Sequence, residues 1–351
     1  MLLRVRGNNM KKFKIVSIFV VCLCMFMGCK NNDSDDRESS TYRENSDTEA
    51  NNEQQLDESE TFDFANGSVG YDIYDTTWEN EVYEYTGDEL KISFDISTMP
   101  VSTEFSLLVF IDGTLTPYYS SENSDIMDIQ VFKTEKGEKK KSYTIFFEPL
   151  SGVKGEEYTL TVLLLDNPNY MLKDTSFLSF LPNHSIMEIS KKTLVYNCET
   201  VENTDVCANY DVRDLSKEVE NIFANDYSEG GNMLNEMIYY MFSSQSFDDN
   251  PKAESISLFS IDKNEKLKIY IPFLGKDGEY RVSLYINYQL VPAFDGKNYL
   301  DVTVERDKYT EKVVELDVSN YEGLNHIELM VVDKNGGYVT KQGPILLEIL
   351  E

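Results

Sequence analysis

The chain has 351 residues, of which 41% are hydrophobic, and sets 62 acidic against 32 basic side chains. That apolar share is enough for real cores and excludes a chain disordered throughout. A formal net charge of −30 repels polyanions and excludes nucleic acid as a partner.

The first element in the chain is a targeting segment. From Met10 the sequence reads "MKKFKIVSIFVVCLCMFMGCKNN". Basic Lys11, Lys12 and Lys14 precede an apolar run, Ile15 to Met27, that is too short for a comfortable membrane span and suits a signal peptide. Met1 to Asn9 reads as an upstream start carried into the chain. The run ends in "FMGC", and a small residue directly before Cys29 resembles the lipobox of bacterial lipoproteins, with Phe26 departing from the usual aliphatic residue. The resemblance implies that residues 1–28 are removed, that Cys29 is diacylated, and that the protein sits on the extracellular face of the cell membrane. Two acyl chains anchor stably where one does not. Removal would take away Arg4, Arg6, Lys11, Lys12 and Lys14 and no acid, leaving a still more acidic chain.

Residues 29–61 hold almost no apolar side chains and many acids, Ser and Asn. They cannot bury enough surface to offset chain entropy, so they read as a disordered acidic tether. Residues 62–200 carry short β-type runs separated by turn residues. "ELKISFDIS" alternates apolar residues on one face, "EFSLLVFI" is apolar throughout as for a strand buried on both faces, and "SYTIFFEP", "EYTLTVLLLD" and "KTLVYN" follow. Residues 251–351 repeat the order: "KLKIYIPF", "EYRVSLYINYQLVPAF", "LDVTVE", "KVVELDV", "HIELMVVDKNG" and "ILLEILE". Matching elements in the same order indicate an internal duplication. The expected fold is mostly β: two tandem immunoglobulin-like antiparallel β-sandwiches. At the shared hairpin, Asp112–Gly113 suits a tight turn, whereas Asn287–Tyr288 lacks the glycine and should turn less sharply.

Residues 201–250 read as a helical insert. Val212, Leu215, Val219, Ile222 and Phe223 follow helical spacing with Asp211 as N-cap, and Met233, Leu234, Met237, Ile238 and Met241 do so again with Asn232 as cap. The first repeat also carries an excursion, Asn167–Glu188, that the second lacks. Loops between strands carry function more often than strands do. The binding-surface candidates are therefore Tyr118, Tyr119, Tyr170, Phe177, Phe180, Met237 and Met241.

Chemistry-bearing motifs are sparse. The two histidines, His184 and His326, lie in no HExxH or nucleophile-elbow context. "DNPN" and "DKNG" resemble fragments of calcium loops but lack the remaining ligands, so no metal or cofactor is expected. Cys198 and Cys207 form a disulfide candidate if the chain is exported. The stretch "LLVFIDGTLTPYY … FEPLSGVKGEEYTLTVLLLDNPNYM" resembles uncharacterised Gram-positive, Clostridia-type surface lipoproteins with tandem immunoglobulin-like repeats. That resemblance implies an address and a fold and no activity. The expected function is a non-catalytic, lipid-anchored surface protein that binds a protein, peptide or glycan. Two alternatives are an accessory lipoprotein of a membrane transport or secretion complex, and a carboxylate-based hydrolase.

Overall fold

The computed structural model describes residues 82–96, 103–135, 141–170, 172, 175, 186–217, 219, 238–247, 256–335 and 339–351. Cys29, the tether, Phe177, Phe180, His184 and Met237 lie outside the described residues. Among the described residues the architecture is mostly β, with four sheets. The strands are β1 (Val82–Tyr85), β2 (Leu90–Ile96), β3 (Thr103–Ile111), β4 (Thr114–Leu115), β5 (Tyr118–Ser120), β6 (Val131–Thr134), β7 (Lys141–Phe147), β8 (Glu157–Asp166) and β9 (Ile186–Tyr196). They continue with β10 (Val206–Cys207), β11 (Asp211–Asp214), β12 (Ile238–Tyr240), β13 (Leu258–Asp262), β14 (Lys266–Gly275) and β15 (Gly278–Ile286). The last are β16 (Gln289–Val291), β17 (Tyr299–Val304), β18 (Lys308–Asp317), β19 (Gly323–Asp333) and β20 (Val339–Leu350).

The pairing order β1-β9-β8-β3-β4 of one sheet recurs as β13-β20-β19-β15-β16 in another, and β6 beside β3 matches β17 beside β15. Even the exceptions match, since β1 runs parallel to β9 and β13 parallel to β20. Each of these sheets covers a smaller one across an apolar core. β2-β7-β5 faces the first, and β11-β18-β14-β12 faces the second. The alternation read in "ELKISFDIS" follows from this packing: Leu90, Ile92, Phe94 and Ile96 are buried in the first core, while Lys91 points outward.

The two larger sheets are apolar on their other faces as well. Leu107, Val109 and Ile111 of β3 enter the first core. Leu108 and Phe110, pointing the opposite way, join Leu163, Leu165, Tyr285, Tyr288 and Met330 in a third cluster. A strand buried on both faces needs the unbroken apolar run that β3 carries. This seam fuses the duplicated halves.

Several expectations are corrected. The hairpin Asn287–Tyr288 is as tight as Asp112–Gly113. Both tips have positive φ at both residues (43° and 76°, 50° and 64°), and both join strands through two residues. That is the primed turn matching strand twist, and Tyr288 is held in it by burial in the seam. The helical reading also fails at two places. Asp211–Asp214 is strand β11, paired with β18, and Ile238–Tyr240 is strand β12, paired with β14. Ladder pairing at the two edges of the smaller sheet overrides the local helical period there. Only Lys217 and Val219 carry helical backbone among the described residues of the insert, with Ser216 Oγ accepting from the Val219 amide at 3.3 Å. Met241, offered as a binding residue, is buried with Val219, Phe247, Leu274 and Tyr309 in a fourth cluster. Tyr118 is likewise buried, its hydroxyl donating to the Leu107 carbonyl at 3.2 Å and accepting from the Gln130 amide at 3.1 Å. Cys198 and Cys207 are unbonded thiols. Cys198 packs on the first core and Cys207 belongs to the second, so chain proximity does not bring the sulfurs together.

Candidate binding cleft

The ends of the seam differ because the turns there differ. At one end the tip Asp112–Gly113 sits on the second half. A Cβ on Gly113 would lie 2.9 Å from Val332 Cβ and 3.0 Å from Arg281 Cβ, so only glycine fits that approach. Arg281 donates from Nε and Nη2 to the two oxygens of Asp301 at 2.7 and 2.8 Å, and from Nη1 to Thr114 Oγ1 at 2.6 Å. Lys334 adds a contact to Asp301 at 3.1 Å, and Tyr299 accepts from the Leu115 amide at 3.1 Å. Burial works to raise the Asp301 carboxyl, but Arg281 and Lys334 outweigh it and hold the group below the usual range. Burial pushes the Asp112 carboxyl up to about 6, against the hydrogen bond from the Thr159 amide and the charges of Arg281 and Lys334. This end is closed.

At the other end the tip is Asn287–Tyr288, and it meets the start of the excursion after β8. Asn167 has a φ of 49° and its amide donates to the Glu104 carbonyl at 3.0 Å, while the Tyr170 amide closes the turn onto the Asn167 carbonyl at 2.9 Å. Asn169 Nδ2 donates to Glu104 Oε2 at 3.0 Å and Lys133 Nζ reaches the other oxygen at 3.4 Å. The Asn169 bond, opposed by burial and joined by Lys133, keeps the Glu104 carboxyl below its ordinary value. Opposite, the Tyr288 ring sits edge-on to His326 at 4.5 Å. His326 is almost wholly buried, and its amide donates to Asn287 Oδ1 at 3.1 Å. Asn287 Nδ2 donates in turn to Asn325 Oδ1 at 2.7 Å.

Between these walls lies a cleft of ≈ 160 Å³, lined by Pro168, Asn169, Tyr170, Leu172, Asn287, Tyr288, Leu324 and His326. A depression of ≈ 170 Å³ adjoins it through the shared Asn169 and Tyr170 and is bounded by Glu104 and Asn167. Each is smaller than the several hundred Å³ usual for an enclosed small-molecule site. They suit one side chain or one sugar ring of a longer ligand. Tyrosine rings and carboxamides dominate the walls, offering apolar faces beside neutral donors and acceptors. Among the described residues no three His, Cys, Asp or Glu side chains are grouped to hold a metal ion.

Of the sequence candidates, the structure places Tyr170 in this cleft. Tyr119 lies elsewhere, stacked on Phe146 at 5.0 Å with its hydroxyl donating to Glu89. Asn287, Tyr288, His326 and Glu104 were not singled out as site residues. The signal that could have found the first two is the disagreement between the repeats at the hairpin, "DG" against "NY".

No family model and no curated protein matches the chain. Solved structures with some likeness include a family 123 glycoside hydrolase from Clostridium perfringens, at 11% identity and a TM-score of 0.24. That match covers 32% of this chain, which spans only 27% of the hydrolase. The CsuC–CsuE chaperone–tip adhesion subunit complex from Acinetobacter baumannii matches at 13% identity and a TM-score of 0.21, covering 77% of this chain and 95% of that one. The periplasmic chaperone SfaE matches at 9% identity and a TM-score of 0.19, covering 76% and 95%.

Proposed function

We propose that the chain is a non-catalytic, lipid-anchored surface protein. In this reading Cys29 carries the lipid, residues 29–61 are the tether, and two immunoglobulin-like sandwiches, 62–200 and 251–351, present the cleft to a protein, peptide or glycan. The observation that carries the binding part of this reading is the seam itself. The duplicated strands bury one end under Asp112–Gly113 and leave the other as a tyrosine- and amide-walled cleft, built where the copies differ. The carboxylate beside it, Glu104, is engaged by Asn169 and Lys133. Such a surface can hold a ligand by stacking and neutral hydrogen bonds.

Two experiments test the parts separately. Cells fed an alkyne fatty acid should label the wild-type protein and not Cys29→Ala, and equal labelling of both would refute the anchor. The soluble ectodomain on peptide and wall-glycan arrays should bind a defined subset of one kind. Silence on both arrays would remove the binding reading.

A further inference from the structure

Away from the cleft, three reactive side chains converge on the edge of the second core. Cys207 sits on the two-residue strand β10, tied by parallel pairing to Tyr299 and Leu300 of β17. Lys312 comes from β18 in the facing sheet, with its side chain only 5% exposed. Its Nζ lies 3.8 Å from Cys207 Sγ, 2.7 Å from Asp295 Oδ2 and 2.8 Å from the Asn209 carbonyl. Asp295, in a tip with a φ of 53°, also accepts from Cys207 Sγ at 3.3 Å and from Asn209 Nδ2 at 3.4 Å. Its side chain is 53% exposed, so the group has a path to water.

A lysine is rarely buried this deeply unless it is paired, and here the pairing points it at a sulfur. An amine within about 4 Å of a thiol can intercept the sulfenic acid that peroxide makes from it, as amide nitrogens do in known sulfenamides. The other thiol among the described residues, Cys198, has a different setting: its sulfur faces the Tyr85 carbonyl at 3.6 Å.

We infer that Cys207 and Lys312 are a peroxide-responsive pair that closes into a sulfenamide cross-link, with Asp295 as proton acceptor. In the first step the Cys207 thiolate attacks one oxygen of hydrogen peroxide. The O–O bond breaks, sulfur is oxidised to the sulfenic acid, and the departing hydroxide leaves as water with the proton that the Cys207 thiol gave up to Asp295. In the second step Lys312 gives one proton to the Asp295 carboxylate, which passes it to solvent. The freed amine attacks the sulfur and displaces the hydroxyl, which leaves as water with a second proton from the nitrogen. The S–N bond thus costs one peroxide and releases two waters. It joins β10 to β18 across the two sheets of the second core.

The test treats the full chain with hydrogen peroxide and maps it by tryptic mass spectrometry. A linked peptide lighter by two hydrogen atoms than its two parts is expected, with trypsin no longer cutting after Lys312 and fragmentation placing the bond on Cys207 rather than Cys198. Dithiothreitol should reverse it. The treated wild type should also melt at a higher temperature than the untreated, and Cys207→Ser should show no such rise. Lys312→Arg keeps the charge and should leave Cys207 as a sulfenic acid that dimedone traps. Peroxide that oxidises Cys207 to sulfinic acid with Lys312 still cleavable, or that leaves Cys207 untouched, would overturn the inference.

Discussion

At the residue scale, the two tips of the seam carry the account. Gly113 needs a φ of 76° and has backbone-near neighbours where a Cβ would go. Gly155 has a φ of 89° and nothing within 4 Å. Gly113→Ala should therefore cost about 2–3 kcal/mol, from left-handed strain plus overlap with Val332 and Arg281, while Gly155→Ala costs about 1 kcal/mol from strain alone. Denaturant midpoints of the two variants check the contrast, and equal losses would mean that the Gly113 approach is loose. Asp112 adds a pH signature. Its carboxyl stands at about 6 in the folded chain against an ordinary 3.8. The folded state therefore binds more protons between those values, and the contribution to stability is present at low pH and lost as pH rises through about 6. Asp112→Asn keeps an acceptor for the Thr159 amide and tolerates positive φ. It should be about 1–3 kcal/mol more stable than wild type at pH 7.5, with a flatter pH profile from 4 to 7. A less stable variant would show that Arg281 and Lys334 more than compensate for the buried charge. The sequence made the Asp112–Gly113 turn legible through its dipeptide. It concealed the equal tightness of Asn287–Tyr288, because a buried ring rather than a glycine holds that conformation.

At the element scale, the apolar run of β3 announced two buried faces. What covers the second face was not legible, since a run of apolar residues does not name its partner. The structure supplies it: the outer face of each large sheet covers that of its duplicate. Leu108→Ala, on the seam face, should therefore cost as much as Leu107→Ala in the first core, about 2–4 kcal/mol each. If chemical denaturation showed Leu108→Ala to be near neutral, the seam would be wet or transient. Strands β1 and β13 were missed for a related reason. Each is a short edge strand in parallel pairing, and "VYEY" and "LFSID" carry too few alternating residues to stand out. The helical spacing at Asp211–Asp214 and Ile238–Tyr240 misled because those residues find ladder partners distant in sequence, on β18 and β14.

At the scale of the whole molecule, duplication sets the scaffold and divergence sets the site. In their larger sheets the repeats agree in strand order, pairing and even the parallel edge strand, while the smaller sheets differ, with three strands in the first half and four in the second. They also disagree at one hairpin tip and in the residues after β8, and Pro168–Tyr170 and Leu172 line the cleft together with Asn287 and Tyr288. Among the described residues, Tyr170 is the candidate from the sequence that lines the cleft, together with Asn287 and Tyr288. The most direct measurement is the affinity of an array-selected peptide or glycan, by calorimetry, for wild type, Tyr170→Ala and Tyr119→Ala. The account predicts that Tyr170→Ala weakens binding by about tenfold or more, roughly 1.4 kcal/mol, while Tyr119→Ala, away from the cleft, binds as wild type. Unchanged affinity in Tyr170→Ala, with loss in Tyr119→Ala, would contradict it.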